Sequence, residues 1–209
     1  EFHVQNRGGR GVKGMGMTND DVIQTLVSCS THDTLLFFTN KGKVYSKKGY
    51  EVPEYGRQAK GIPIINLLNI EKDEYVKDII NVRQDEDSET NLLAFVTKQG
   101  TVKRSKASDY FNIRNNGLIA ISMREEDELI NVLVTNGSQS LIIGTHDGYA
   151  MAFDEQDVRV MGRTATGVRG IRLRGDDFVV GAAVLNEDSE VLVVTENGYG
   201  KRTSASDYT

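Results

Sequence analysis

The chain lacks the features on which several common protein classes depend. With only one cysteine, Cys29, it cannot form an internal disulfide, and this composition is typical of a reducing cytosol. No apolar run approaches the roughly 20 residues of a transmembrane helix, and no secretory signal segment is present, so we expect a cytoplasmic protein without membrane contacts. The three histidines, His3, His32 and His146, are far apart and have no cysteine partners, which argues against a metal site.

Catalytic and nucleotide-binding motifs are also missing. The sequence contains neither a P-loop nor a G-x-S-x-G nucleophile motif. Residues 9–14 match G-x-G-x-x-G, but they lack the preceding strand and following helix that a dinucleotide site requires. The acidic clusters lie in turn-like stretches without the apolar surroundings that favour acid–base chemistry. We therefore expect this chain to hold no catalytic residue and no cofactor.

What the sequence does contain is a repeat of about 50 residues. Four apolar runs each lead into a Thr-x-x-Gly turn, and a second strand-like run follows each turn. The turn glycines are Gly42, Gly100, Gly148 and Gly198, at intervals of 58, 48 and 50 residues. Because the runs are rich in β-formers, each unit predicts a β-hairpin. The predicted hairpins span residues 35–45, 92–104, 140–153 and 190–202.

A second unit, which we call the arginine–glycine element, alternates with the hairpins. It places an arginine three or four residues before a glycine, and a β-branched run follows the glycine. Elements begin at Arg57, Arg114 and Arg163, and residues 7–14 have the same form. Further strand-like pieces, each after an acidic turn, complete the repeat. They lie at residues 76–82, 128–134 and 177–185.

About four strands per repeat predict an all-β fold, a disc of propeller-like blades. The absence of tryptophan argues against WD40 repeats. The second repeat is lengthened by an acidic stretch, and we expect its residues 85–89 to form a flexible loop that faces away from any bound polyanion. The approximate repeat boundaries are 1–56, 57–113, 114–162 and 163–209.

Charge is segregated along the repeat, although the chain as a whole has a net charge of −5. Acidic residues cluster in the turns, whereas basic residues fall in the hairpins and the arginine–glycine elements, except in the third hairpin. If the blades are arranged radially, the basic phases form a rim that attracts a polyanion. The alternative is an ordinary solvated surface with scattered lysines. The predicted rim residues are Lys13, Lys41, Lys43, Lys47, Lys48, Arg57, Lys60, Lys98, Lys103, Arg104, Lys106, Arg114, Arg163, Arg169, Lys201 and Arg202.

The heptad QNRGGRG at residues 5–11 resembles the A-subunit box of the DNA gyrase C-terminal domain family, a Q-[RK]-R-G-G-[RK]-G motif. Residues 31–54, 161–173 and 191–203 are also similar to segments of that family. The resemblance implies a β-pinwheel, a propeller-like disc whose blades exchange strands and whose basic rim wraps duplex DNA. It also implies that the box residues contact DNA phosphates. These residues are Gln5, Asn6, Arg7, Gly8, Gly9, Arg10 and Gly11.

The resemblance further implies a place in a larger enzyme. Gyrase is an ATP-hydrolysing type II topoisomerase, a heterotetramer in which the B subunit and the breakage domain of the A subunit carry catalysis, ATP and Mg²⁺. This chain would wrap DNA at the nucleoid so that the holoenzyme introduces negative supercoils. Two departures qualify the resemblance. Asn6 replaces a basic residue of the box, and the chain ends within its fourth repeat, so we expect a shortened piece of the domain.

Two other functions stay open from the sequence. One is the corresponding domain of topoisomerase IV, in which the box is degenerate or missing and the domain recognises substrate geometry. The other is a propeller scaffold that binds acidic protein partners and does not bind DNA. An enzyme with its site in a central channel would need convergent titratable groups, which the sequence does not offer.

Overall fold

The computed structural model describes residues 14–17, 21–82, 91–186 and 188–208. The box at residues 5–11, Lys13 and the acidic stretch 85–89 lie outside the described residues. The described strands are β1 Thr34–Thr39, β2 Lys43–Lys48, β3 Val76–Val82, β4 Leu92–Thr97, β5 Thr101–Lys106, β6 Leu118–Ile119, β7 Leu129–Thr135, β8 Ser140–Thr145, β9 Ala150–Asp154, β10 Val168–Arg169, β11 Val179–Leu185, β12 Glu190–Val194 and β13 Gly200–Ser204. The helical pieces in the same residues are 3-10 turns at Gly49–Glu51, Ile64–Asn66, Ala107–Tyr110, Glu155–Asp157 and Ala205–Tyr208. Of the helices described, none is long and apolar enough to span a membrane.

All four predicted hairpins are confirmed, as the antiparallel pairs β1–β2, β4–β5, β8–β9 and β12–β13. Their turns are alike. In each one the glycine N–H donates to the carbonyl oxygen of the threonine three residues earlier, over 2.9–3.1 Å. Each of the four glycines has a positive φ, between 74° and 86°, which residues with a Cβ rarely adopt. The Thr-x-x-Gly pattern therefore sets the turn geometry as well as its place.

The strands form four sheets, which we number as blades in chain order. Blade 1 has the strand order β3-β1-β2-β6 and blade 2 the order β10-β5-β4-β7. Blade 3 has the order β11-β8-β9, and blade 4 consists of β12 and β13 among the described residues, so the expected four strands are found in blades 1 and 2.

The sheets do not coincide with the sequence repeats, because strands are exchanged. Blade 1 takes β1 and β2 from the first repeat, β3 from the second and β6 from the third. Blade 2 takes β4 and β5 from the second repeat, β7 from the third and β10 from the fourth. The exchanged strands β6 and β10 both follow the glycine of an arginine–glycine element. We call the sheet edge that carries such a strand the exchange edge.

An apolar layer lies between each blade and the next. Phe38 of blade 1 and Phe95 of blade 2 are fully buried in the first layer, where their rings meet edge to face with centroids 5.6 Å apart. Because neighbouring residues of a strand point to opposite faces, Val96 enters the second layer, where it packs with Ile143 of blade 3. The third layer, between blades 3 and 4, contains Ile142, Leu185, Val191, Ala205 and Tyr208. This stack of small antiparallel sheets confirms the predicted propeller-type, all-β fold.

Candidate nucleic-acid interface

The arginine–glycine elements lie at equivalent places on blades 1 and 2. On blade 1, the element that begins at Arg114 runs beside β2 and enters β6, where Leu118 pairs with Val44. On blade 2, the element that begins at Arg163 enters β10, where Val168 pairs with Val102. One phase of the sequence repeat is thus placed on the same edge of two successive blades.

The glycine of each element allows the chain to approach the neighbouring strand closely. Gly117 has a φ of 75°, and a Cβ there would lie 2.7 Å from Cε1 of Tyr45. Gly167 has a φ of 103°, and its Cβ would lie 2.5 Å from the carbonyl oxygen of Val102. Only glycine fits either position without a shift of backbone or ring. The arginine–glycine spacing is therefore explained by packing, and the arginines are carried to the exchange edge with it.

Exposed basic side chains mark both exchange edges. Arg114 is exposed and lines a cleft with Lys47 of β2. Arg169 is exposed on β10 opposite Thr101, and Lys106 is exposed at the end of β5. Arg163 is half-buried. These positions suit contacts with the phosphates of a nucleic acid backbone.

The lysines of the first hairpin are less available than the sequence suggested. The acidic turn before β3 packs against this hairpin, so Glu71 pairs with Lys43 and also with Lys41, whose Nζ lies 3.7 Å from Glu71 Oε2. Lys47 Nζ lies 3.6 Å from Glu51 Oε1, and Lys48 Nζ donates to Thr34 Oγ1 over 2.7 Å. The acidic turn is thus in contact with the basic hairpin, so the two kinds of charge are not fully segregated.

Within the acidic turns, one carboxylate of each has a structural role. Glu74 is buried and accepts hydrogen bonds from Thr39 Oγ1 at 2.7 Å and from the Tyr45 hydroxyl at 3.1 Å. Burial, together with the charge of Glu74, raises the pKa of Tyr45 to about 12. In the next two turns, Asp127 and Asp177 each accept from two backbone N–H groups over 2.9–3.0 Å. The prediction that the acidic clusters are turns is confirmed.

Lys103 and Arg104 were predicted for the rim, and this prediction is wrong. Lys103 is fully buried, and Arg104 is 5% exposed. Their strand β5 lies inside the sheet, between β4 and β10, and apolar layers cover both of its faces. The repeat carries part of the signal that was missed. Three residues after the turn glycine, where blade 2 has Lys103, blades 1 and 3 have Tyr45 and Met151, which pack in apolar clusters, whereas blade 4 has the exposed Lys201.

The other predicted rim residues have varied surroundings. Lys60 is exposed, and Arg57 of the same element is partly buried. Lys98 Nζ lies 5.3 Å from the ring centroid of Phe178, a cation–π contact with blade 3. Lys201 and Arg202 are exposed on β13.

One basic residue at a hairpin turn was missed. The third hairpin has no lysine or arginine of its own, but the guanidinium of Arg174 lies 5.2 Å from the ring centroid of Tyr149 beside that turn. Arg174 comes from the acidic turn before β11, so only the folded contact brings it there.

A group that could ligate a metal ion occurs at the same hairpin. Atoms of His146, Asp147 and Asp177 lie within 4.8 Å of one another. However, Asp177 Oδ1 already accepts the N–H groups of Asp147 and Phe178, and the His146 ring stacks on Phe178 at 4.8 Å. These contacts explain the cluster as part of the turn.

Comparison with known proteins gives consistent matches. A family model, the DNA gyrase C-terminal domain, beta-propeller, matches residues 1–30, 33–83, 91–136, 139–186 and 189–209. The DNA gyrase A subunit of Staphylococcus aureus (strain MRSA252) is 54% identical over 209 residues, which cover 99% of this chain and 24% of that protein. The chain therefore spans about a quarter of the length of the curated relatives it matches.

Solved structures show the same similarity in three dimensions. The C-terminal domain of DNA topoisomerase IV superposes with a TM-score of 0.81 at 29% identity, covering 94% of this chain and 61% of that one. The DNA gyrase A C-terminal domain superposes with a TM-score of 0.77 at 27% identity, covering 98% of this chain and 66% of that one. The E. coli ParC C-terminal domain, at 16% identity and a TM-score of 0.72, shares the fold.

Proposed function

The chain belongs to the DNA gyrase C-terminal domain family, and from this premise we propose that it binds duplex DNA along the exchange edges of its blades and wraps it. The observation that supports this proposal is that the arginine–glycine element lies on the same edge of blades 1 and 2 and has an exposed arginine on each, Arg114 before its glycine on blade 1 and Arg169 after its glycine on blade 2. Repeated phosphate contacts along a curved series of edges would hold a bent duplex. Bending 20–30 base pairs by 40–90° costs roughly 1–6 kcal/mol, so several blades must share that cost.

In the larger enzyme, the wrapped DNA would present a positively crossed segment to the breakage domain. Strand passage by the A and B subunits would then introduce negative supercoils in an ATP-dependent reaction. ATP and Mg²⁺ would bind to other parts of that enzyme, in the cytoplasm at the nucleoid. Because phosphate contacts carry no base information, we expect weak sequence preference that follows DNA deformability.

A direct test compares two double variants of equal charge. Arg114→Ala with Arg169→Ala removes two charges from the exchange edges. Lys72→Ala with Lys77→Ala removes two charges from β3 and the turn before it, on the opposite edge of blade 1. If about six to eight phosphates are contacted, log K against log salt should have a slope of about −5 to −7 for the wild type.

The edge variant should reduce that slope by about two, and the control variant should leave it unchanged. Equal effects of both variants would contradict binding at the exchange edges. A slope near zero, or no binding at low salt, would favour the protein-scaffold function instead. Wrapping is tested separately: a nicked plasmid is bound, resealed with ligase and examined for a change in linking number.

One observation favours a second candidate function. The topoisomerase IV C-terminal domain superposes at least as well as the gyrase domain, with TM-scores of 0.81 and 0.77. In that case the chain would recognise substrate geometry without a functional box. The linking-number assay separates the two, because the gyrase-type function requires that replacing Arg7 and Arg10 reduces the change in linking number.

A further inference from the structure

The ammonium group of Lys103 contacts two successive arginine–glycine elements. Its Nζ donates to the carbonyl oxygen of Ala120, 2.6 Å away, in the element that begins at Arg114. It also donates to the carbonyl oxygen of Arg163, the first residue of the next element. The Tyr110 hydroxyl is a third contact, at 3.3 Å. One buried side chain therefore joins the segments that form the exchange edges of blades 1 and 2.

The surroundings of Lys103 are unusual for a lysine. All three hydrogen-bond acceptors are neutral oxygen atoms, and the ring centroid of Phe95 lies 5.0 Å from Nζ. Burial lowers the pKa of Lys103 to about 8. The charge of Arg163 also acts to lower this pKa, whereas the charge of Asp109 acts to raise it. Burial also raises the pKa of Tyr110, so this hydroxyl stays neutral near pH 8. Lys103 is therefore the member of this cluster that changes charge just above neutral pH.

A second contact joins the same two elements. Ser122, which follows the first element, donates from Oγ to the carbonyl oxygen of Thr164 over 2.6 Å. Its backbone N–H donates to the carbonyl oxygen of Ala165 over 3.2 Å. The two elements are thus held at two points. Tyr45 and Met151 occupy the matching positions of blades 1 and 3, and the matching Lys201 of blade 4 is exposed, so among the described blades the buried ammonium contact belongs to blade 2.

We propose that Lys103 is a positioning residue for DNA binding, which fixes the spacing between the two arginine–glycine elements so that their arginines meet successive phosphates of a bent duplex. This inference rests on the proposed function, because the spacing matters only if DNA lies along both edges. A fixed spacing favours a bent duplex, since the elements need not be ordered when the DNA binds.

The test uses a matched pair of variants on one strand. Lys103→Met removes the buried ammonium group, and Lys106→Met makes the same substitution at an exposed position of β5. The first readout needs no DNA. Amide exchange in residues 163–170 should become about tenfold faster in Lys103→Met and stay unchanged in Lys106→Met, because only the first variant loses the contact between the elements.

The second readout uses duplexes of two lengths, with the DNA bend measured at saturating protein and the affinity measured by titration. Lys103→Met should straighten a duplex long enough to reach both exchange edges, as measured by end-to-end energy transfer. Affinity for a duplex too short to reach two blades should stay as in the wild type. Lys106→Met should instead weaken binding to both duplexes and reduce the dependence of log K on log salt, as expected for the loss of an exposed charge near phosphates.

The DNA bend is also measured against pH, because a side chain with a purely structural role and no titration would leave the bend independent of pH. Between about pH 7 and about pH 9 the wild-type Lys103 loses its proton and one hydrogen-bond donor, so the DNA bend should decrease. The bend in Lys103→Met should not depend on pH in this range. If Lys103→Met does not fold, the wild-type series tests the proposal without it.

Three results would overturn the positioning role. They are unchanged exchange in residues 163–170, an unchanged bend, or a loss of short-duplex affinity and salt slope like that of Lys106→Met, which would make Lys103 a direct contact. Failure of the wild type to bind DNA would contradict the proposed function. The exchange readout would still decide whether Lys103 holds the two elements together.

Discussion

The guanidinium of Arg104 and the carboxylate of Glu155 form a buried ion pair between blade 2 and the 3-10 turn after β9 of blade 3, with 2.8 Å between Nη1 and Oε2. The same carboxylate accepts from Thr135 Oγ1 at 2.7 Å and from the N–H groups of Gly137 and Gln139 at 2.9 Å each. Burial would raise the pKa of Glu155, but these hydrogen bonds and the Arg104 charge outweigh it and hold the pKa below its usual value. The pair thus ties two blades together.

Replacing Glu155 should cost much stability, because this carboxylate is fully buried. In Glu155→Gln the buried Arg104 guanidinium loses its counter-charge, and breaking such a pair from one side costs about 3–5 kcal/mol. We expect a loss of unfolding free energy near the lower end of that range, because the glutamine amide can still accept hydrogen bonds. Urea denaturation of both proteins at neutral pH measures the difference.

An exposed ion pair of the same residue types is the control. Arg202 Nε lies 3.1 Å from Glu190 Oε2, and both side chains are largely exposed. Glu190→Gln should therefore cost less than about 1 kcal/mol. Similar losses in the two variants would show that the Arg104–Glu155 pair contributes no more than a surface contact.

The lowered pKa of Lys103 predicts that the free energy of unfolding rises with pH above about pH 8. Its pKa is about 8 in the folded protein and returns to its ordinary value of 10.5 on unfolding, so above pH 8 the unfolded chain binds more protons. The free energy of unfolding should then rise with pH, by at most about 1.4 kcal/mol per pH unit. The measurement is urea denaturation at about pH 8 and about pH 9.5, compared with Lys103→Met, in which every other titrating group is kept. A wild-type curve parallel to that of the variant would contradict the lowered pKa.

Gly167 offers a test of how the exchange edge is built. A Cβ at this position, with φ at 103°, would lie 2.5 Å from the Val102 carbonyl oxygen, so Gly167→Ala should displace β10. We expect a loss of more than about 1 kcal/mol and weaker DNA bending, since Arg169 moves with the strand. Gly162→Ala is the control, because nothing lies within 4 Å of a Cβ there. Equal stability of the two variants would show that β10 adjusts freely.

Local sequence chemistry was sufficient to predict the hairpins. In each Thr-x-x-Gly turn the hydrogen bond joins the glycine to the threonine three residues earlier. The turn can therefore be predicted without knowing which distant segments pack against it. Strand exchange is different. The exchanged strand β6 is two residues long and pairs with β2 about 75 residues earlier, a separation that alternation and turn residues do not encode. The sequence therefore showed repeats, but not which strands share a sheet.

The exposure of the predicted rim residues was predicted correctly only in part, for a related reason. A lysine or arginine on a strand is ordinarily predicted to be exposed, but Lys103 and Arg104 lie where neighbouring blades cover both faces of β5. Whether a position is covered depends on the next blade, and hence on packing across repeats. Comparison of equivalent positions gives a mixed sequence signal, because the residue that matches Lys103 is Tyr45 in blade 1 and Met151 in blade 3 but the exposed Lys201 in blade 4.

Arg7 and Arg10 belong to the heptad that resembles the A-subunit box, and replacing them should separate wrapping from binding. If the chain acts in a gyrase holoenzyme as proposed, the Arg7→Ala with Arg10→Ala variant of that enzyme keeps the charges of the exchange edges. DNA affinity should fall modestly, because each phosphate contact contributes only a share of the counterion release. Supercoiling should fall far more, since the resemblance implies that the box acts where the DNA path closes around the disc.

The measurement is a side-by-side assay of ATP-dependent supercoiling and relaxation. Under the proposed function, strand cleavage and passage belong to other domains, so relaxation and decatenation should survive in the box variant. The Lys72→Ala with Lys77→Ala variant should retain all activities. If supercoiling and relaxation fell together, the box would be needed for folding or docking rather than for wrapping. If neither fell, the heptad would be inactive, and the chain would act as the topoisomerase IV domain is proposed to act, through recognition of DNA geometry by the exchange edges alone.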